Sequence, residues 1–149
     1  GKQGIILAEE CEDAILRNNI VYANGIHGIV VYQQSNRAIV EGNQSYANAG
    51  QGINVNNSED VIVRNNQVYG NHEDGIGIGQ NARDNSITGN KVWNNTRDGI
   101  TLYSDASHNV VQSNDVHENG RYGIYAKSAG NQVFDNRVLD NSKKDIVKP

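Results

Sequence analysis

Apolar and polar positions change over quickly along this chain. Bursts such as Ile76-Gly77-Ile78 and Ile100-Thr101-Leu102 place apolar residues at i and i+2 and then give way to polar residues within a few positions. A two-residue period puts one face of a strand into a core and the other outside. No stretch carries the 3.6-residue period of a helix, and the apolar positions favour β-branched Ile and Val. The pattern therefore predicts many short strands and no helices.

The strands recur in register. A unit N-x-I-x-x-N-x-V-x-x-N-x-x-x-G-I-x-h appears six times, with its first Asn column at Asn19, Asn43, Asn66, Asn90, Asn114 and Asn136. A second column follows five residues on, at Asn24, Asn48, Asn71, Asn95, Asn119 and Asn141. Four residues later stand Gly28, Gly52, Gly75, Gly99 and Gly123, with Gly4 ahead of them and Asp145 in the last copy. Successive Asn columns are 24, 23, 24, 24 and 22 residues apart, and the variation falls between the Gly-Ile strand and the next strand. That period is too short for a propeller blade, and Leu is too scarce for a leucine-rich horseshoe. The architecture that remains is an all-β solenoid, a parallel β-helix of about six rungs of 22–24 residues stacked ~4.8 Å apart.

Each column then acquires a role. The Ile-x-h pairs after the glycines point inward and stack. Asn at equivalent turns bonds its amide to the Asn of neighbouring rungs. Glycine at the strand entrance serves either a positive φ or a close approach between rungs. Tyr22, Tyr46, Tyr69 and Trp93, continued by His117 and Leu139, form an aromatic file beside the first Asn column. It reads as a structural ring stack, with a sugar platform as the functional alternative.

Composition changes this picture little. The chain has 149 residues, 36% hydrophobic, with a mean hydropathy of −0.65, 23 Asn and 16 Gly. So polar a mixture suits a disordered chain, but the strict repeat overrides that reading and defines a single domain over residues 1–149. A net charge of −4 with dispersed Lys and Arg argues against nucleic acid and anionic membranes, and no apolar run suits membrane insertion. A lone Cys11 excludes an internal disulfide framework. Met is absent and the repeat is in phase by Gly4, which reads as a processed chain or a piece of a longer solenoid. Uncapped end rungs would then meet further rungs or self-associate end to end.

The unit resembles the right-handed β-helix repeat of carbohydrate-binding proteins and sugar hydrolases, a group that includes NosD-type periplasmic proteins and mannuronan C5-epimerases. Arg97-Asp98-Gly99-Ile100-Thr101-Leu102-Tyr103 and His27-Gly28-Ile29-Val30-Val31 carry the likeness to the epimerase helices. The resemblance implies a right-handed coil, an extracellular, cell-surface or periplasmic location, and polysaccharide as the partner. It also implies a catalytic Asp-Pro-His-Asp run after one Gly-Ile pair. This chain does not contain that run, since its only proline is Pro149. If the chain is an enzyme, the resemblance points to a polysaccharide epimerase, lyase or glycoside hydrolase.

In epimerase-like helices the substrate lies along the strand after the glycine column. Transferred by position, this assigns substrate binding to Tyr32, Asn54, Asn56, Thr101, Tyr103, Tyr125 and Lys127, with Val30, Gly77 and Gly79 as their outward neighbours. Tyr rings stack on sugars, Asn binds hydroxyls, Lys127 pairs with a carboxylate, and the two glycines are expected to leave a trough. Asp74 and Asp98 precede the glycines of adjacent rungs, so their carboxylates are expected about 5 Å apart. Such a pair suits a retaining glycosidase or a cation such as calcium; the plainer alternative is a pair of turn residues neutralised by Arg97 and Arg121. No cofactor or His-based metal site is otherwise indicated. Two functions follow: a polysaccharide-binding or polysaccharide-active β-helix with an acidic glycan as ligand, or a structural solenoid such as a surface stalk or phage fibre segment. Polar and aromatic residues gathered on one face would favour the first.

Overall fold

The computed structural model describes residues 2–149. It consists of nineteen strands of three to five residues, with no helix among the described residues. Each rung carries three strands, beginning with β1 (Ile5–Leu7), β2 (Ile15–Arg17) and β3 (Ile20–Tyr22). Every third strand pairs in parallel, giving one seven-stranded and two six-stranded sheets. The first sheet contains β1, β4 (Ile29–Val31), β7 (Ile53–Asn56), β10 (Ile76–Gly79), β13 (Ile100–Leu102), β16 (Tyr122–Ala126) and β19 (Lys144–Val147). Six rungs are complete and β19 opens another. The molecule is the parallel β-helix that the repeat implies.

Register is strict. Ile76 lies opposite Ile53 on one side and Ile100 on the other, and Ile78 lies between Val55 and Leu102. Identical columns therefore stack inside the coil, and Ile29, Ile53, Ile76, Ile100 and Ile124 are fully buried. Burying such a side chain contributes roughly 1.5–3 kcal/mol. Ser45 interrupts one Val column but is satisfied, donating to the Gly52 carbonyl at 2.7 Å and accepting from Asn48 at 3.2 Å.

The chain turns from one strand to the next through a single left-handed residue, and the asparagine follows it. Gly42, Asn65 and Gly89, with φ of 65°, 55° and 64°, precede Asn43, Asn66 and Asn90. Ala47, Gly70 and Asn94 precede the second column in the same way. So sharp a corner leaves backbone groups without strand partners, and the asparagine amide supplies them. Asn66 donates its backbone N–H and its Nδ2 to Asn90 Oδ1, at 3.0 and 2.9 Å. Asn90 repeats this toward Asn114 and also donates Nδ2 to the Val63 carbonyl of the rung before, at 2.9 Å. A third ladder, which the repeat unit did not include, links Val61, Asn85, Asn109 and Asn131.

Of the two roles open to the glycine column, the structure selects close approach. Gly28, Gly52, Gly75, Gly99 and Gly123 are not among the residues with positive φ. A Cβ on Gly75 would lie 2.7 Å from the Gly99 carbonyl oxygen and 2.8 Å from Asn95 Nδ2. Where Asp145 replaces glycine, its carboxylate accepts from Asn141 Nδ2 at 3.0 Å, in the place of the next asparagine.

The aromatic file is a continuous stack. Centroids from Tyr22 through Tyr46, Tyr69, Trp93 and His117 are 5.1, 4.9, 4.4 and 6.2 Å apart, with planes within 15° of parallel. The rings cover one another's faces, so the interior of this stack has no face to offer a sugar.

Replacing Asn90 by Leu removes the acceptor for Asn66 and both donors toward Asn114 and Val63. We expect a loss of about 1–3 kcal/mol or more from the unmet backbone groups. Urea unfolding followed by circular dichroism measures it, and an unchanged midpoint would contradict the ladder's role.

Candidate functional site

Three of the residues that precede a ladder glycine, His27, Asp74 and Asp98, use their side chains to cap a backbone N–H of the following rung. His27 Nδ1 accepts the Gln51 N–H at 2.9 Å. Asp74 Oδ1 accepts the Asp98 N–H at 3.2 Å, and Asp98 Oδ1 accepts the Tyr122 N–H at 3.1 Å. Both carboxylates are 2% exposed. The second oxygen of Asp74 accepts from the Tyr103 hydroxyl at 2.6 Å and from Gln51 Nε2 at 3.2 Å. That of Asp98 accepts from Thr101 Oγ1 at 3.2 Å, while Arg121 Nε lies 3.5 Å from Oδ1. Each carboxylate oxygen is therefore engaged within the fold. Arg121 neutralises Asp98 as the plainer reading expects, but Arg97 pairs with Glu73 instead, at 3.3 Å.

Gly77 and Gly79 do not leave an open trough. Gly77 lies against the Gln51 amide, and a Cβ on Gly79 would be 3.1 Å from Tyr103 Cδ2. Both glycines are buried. Their missing side chains let Tyr103 fold back over the preceding rung, so that its hydroxyl reaches Asp74 and also accepts from Gln51 Nε2 at 2.9 Å. Gln51 contacts the Asn54 amide, and Asn54 contacts Asn56 at 2.7 Å. Burial, reinforced by the Asp74 carboxylate, pushes the Tyr103 hydroxyl well above its ordinary pKa. It stays protonated and acts as a donor.

His27 closes the other side. Burial lowers its pKa below the ordinary 6.5, partly offset by the Glu73 carboxylate. Because Nδ1 accepts a backbone N–H, the neutral ring carries its proton on Nε2 and presents a donor there.

These side chains border a cleft of about 370 Å³, with His27, Gln51, Asn54, Asn56, Glu73 and Tyr103 in its wall. A smaller hollow of about 150 Å³ adjoins it, shares His27, Asn54 and Asn56, and adds Tyr32 and Val30. Further along the same sheet, Lys127 Nζ sits 4.4 Å from the Tyr103 ring centroid and 5.2 Å from that of Tyr125. Of the residues assigned by position, Tyr32, Asn54, Asn56 and Tyr103 border the two hollows, and Tyr125 and Lys127 extend the face. Thr101 is a correction: it is fully buried and bonded to Asp98, so it presents nothing outward. Positional transfer missed His27, Gln51 and Glu73. The signal for the first two was their place in the pre-glycine column, where only Asp74 and Asp98 drew notice.

Comparison places this geometry among known proteins. A family model described as a right handed beta helix region matches residues 3–147. The crystal structure of the periplasmic alginate epimerase AlgG matches with a TM-score of 0.87 at 20% identity, covering 93% of this chain and 36% of that one. The A-module of the Azotobacter vinelandii mannuronan C-5 epimerase AlgE6 matches with 0.80 at 30% identity, covering 89% and 36%. The pectate lyase Pel9A matches with 0.59 at 24% identity, covering 68% and 27%. The chain thus spans about a third of the length of these structures. Among curated proteins no sequence matches it.

The depressed pKa of His27 gives a pH signature. In the unfolded chain the imidazole binds protons more readily, so folding is stabilised fully above the ordinary value of 6.5. That contribution is lost as pH falls through the lower folded value. The melting temperature should decline from about pH 7 to 5, with a shallower decline in His27→Gln. Equal slopes in both proteins would contradict the buried neutral imidazole. Tyr103→Phe should cost about 1–3 kcal/mol in urea unfolding, because Asp74 loses a donor while still buried.

Proposed function

Because the chain belongs to the right-handed β-helix family, whose model matches residues 3–147, we propose that it binds an acidic polysaccharide across the outward face of the first sheet. One observation carries this reading: the three faces of the coil are unlike. The second sheet bears ion pairs that satisfy one another, with Glu41 shared by Arg17 and Arg64. The third bears the closed ring stack. Among the described residues only the first joins concave hollows to amides, a tyrosine hydroxyl, a neutral imidazole and a free-ended lysine. Concave polar-aromatic surfaces are where ligands usually bind.

In this reading Asn56 and His27 bind hydroxyls, Tyr32 supplies a half-buried ring at the edge of the smaller hollow, and Lys127 receives a uronate carboxylate. Successive rungs repeat at ~4.8 Å, close to the length of one sugar residue. The names of the structural neighbours specify alginate, mannuronan and pectate, all polymers of uronic acids. AlgG is described as periplasmic, which supports a location outside the cytoplasm.

Binding without turnover is the better account of this stretch. The Asp-Pro-His-Asp run is absent, Asp74 and Asp98 are engaged by the fold, and both Tyr103 and His27 are held as donors. Proton abstraction at C5 of a uronate needs a base fixed beside that carbon. Of the carboxylates in the cleft wall Glu73 pairs with Arg97, and Asp105 stands on an exposed turn with no side-chain partner among the described residues to fix it.

Calorimetric titration with tetragalacturonate and tetramannuronate tests the reading. Tyr32→Ala, Lys127→Ala together should weaken binding at least about tenfold, some 1.4 kcal/mol. Equal affinity in both proteins, or no binding by either, removes this face from consideration. Proton NMR of polymannuronate incubated with the protein should show no guluronate signals, and their appearance would overturn the non-catalytic reading.

A further inference from the structure

The side-chain amides of this chain fall into two groups. Those after the single-residue corners are locked in ladders, as Asn66, Asn90 and Asn114 are. Gln34, Asn57 and Asn81 behave differently. They lie on the connections from the first sheet to the second in three successive rungs and are exposed. Their backbones are left-handed, with φ of 58°, 46° and 63°. The turns themselves are tied from rung to rung, Gln34 N–H to the Asn57 carbonyl at 2.7 Å and Asn57 N–H to the Gln80 carbonyl at 2.9 Å. Among the described residues their side-chain amides take part in no hydrogen bond, so three free carboxamides stand on a fixed stack of turns.

They converge on a cleft of about 330 Å³, lined also by Asn36, Glu59 and Arg83. Its two charges cancel: Arg83 Nη2 is 2.5 Å from Glu59 Oε2. An anion would meet Glu59, and a cation would find one carboxylate already paired. No aromatic ring lines the cleft to hold a nucleobase. What it offers is a set of neutral groups, each both donor and acceptor, spaced by the rung repeat. Vicinal hydroxyls of a sugar have the complementary pattern.

We propose that this turn cleft is a second saccharide site, for an uncharged sugar unit, held by the amides of Gln34, Asn57 and Asn81. It shares no lining residue with the first-sheet hollows: Asn81 lines the turn cleft, whereas its neighbour Gln80 borders the hollows. The proposal does not depend on an acidic glycan occupying those hollows.

The test follows the side-chain amide resonances of 15N-labelled protein during titration with cellotetraose and mannotetraose, and separately with tetragalacturonate. At least one neutral tetrasaccharide should shift the Gln34, Asn57 and Asn81 amide signals saturably. Asn57→Gly, Asn81→Gly keeps the left-handed backbone, removes both amides, and should weaken that binding at least about tenfold. The Tyr32→Ala, Lys127→Ala protein should bind the neutral sugar as wild type does, which separates this site from the first-sheet groove. Shifts confined to the first sheet, non-saturating shifts, unchanged affinity in the glycine variant, or a response to tetragalacturonate alone would each overturn the proposal.

Discussion

A chain that turns between strands within one residue must satisfy the backbone groups that the corner strands, and in this protein the asparagine amide does so. Everything else depends on that bond. The amide is one of few side chains with both donors and an acceptor on a short stem. It accepts the N–H of the rung before and donates to the rung after, so each rung fixes the height and register of its neighbours. An Asp would lack the donors, and Asp145 appears where only an acceptor is required. Identical columns of Ile and Val then stack because the corners already hold the rungs in phase.

The same device shapes the candidate site. Asp74 and Asp98 read as chemistry in the sequence, yet their first task, like that of His27, is to cap an N–H of the next rung. Asp74 is further engaged by Tyr103 and Gln51. Buried, hydrogen-bonded carboxylates of this kind rigidify a surface and leave recognition to the groups around them. Here those groups are amides, hydroxyls, the His27 imidazole, the carboxylates of Glu73 and Asp105, and one lysine beyond the cleft.

Much of the fold was legible because its cause is periodic. Asn, Gly and the apolar pairs recur at fixed offsets, and each offset corresponds to one corner or one strand face. The third ladder escaped because only half the rungs use it. Asn85, Asn109 and Asn131 stand five residues before the first column, but Ala14, Ala38 and Val61 occupy the place elsewhere. The site was less legible because it depends on where side chains fold. Outward parity placed Thr101 in the groove, yet its hydroxyl turns to Asp98 and is buried. Gly77 and Gly79 suggested a trough, but they make room for Gln51 and Tyr103. Tyr103 reaches Asp74 across 29 residues of sequence, a contact that no local pattern announces.

The dependence of the fold on its amide ladders is open to direct measurement by hydrogen exchange at the asparagine side chains, read by 15N NMR. The Nδ2 protons of Asn66, Asn71, Asn90 and Asn95 should exchange only through large-scale unfolding, with protection equal to that of the backbone amides of Ile76 and Ile100. Exchange of those side-chain protons at the rate of the exposed Asn57 and Asn81 amides would show that the ladders do not hold the rungs together.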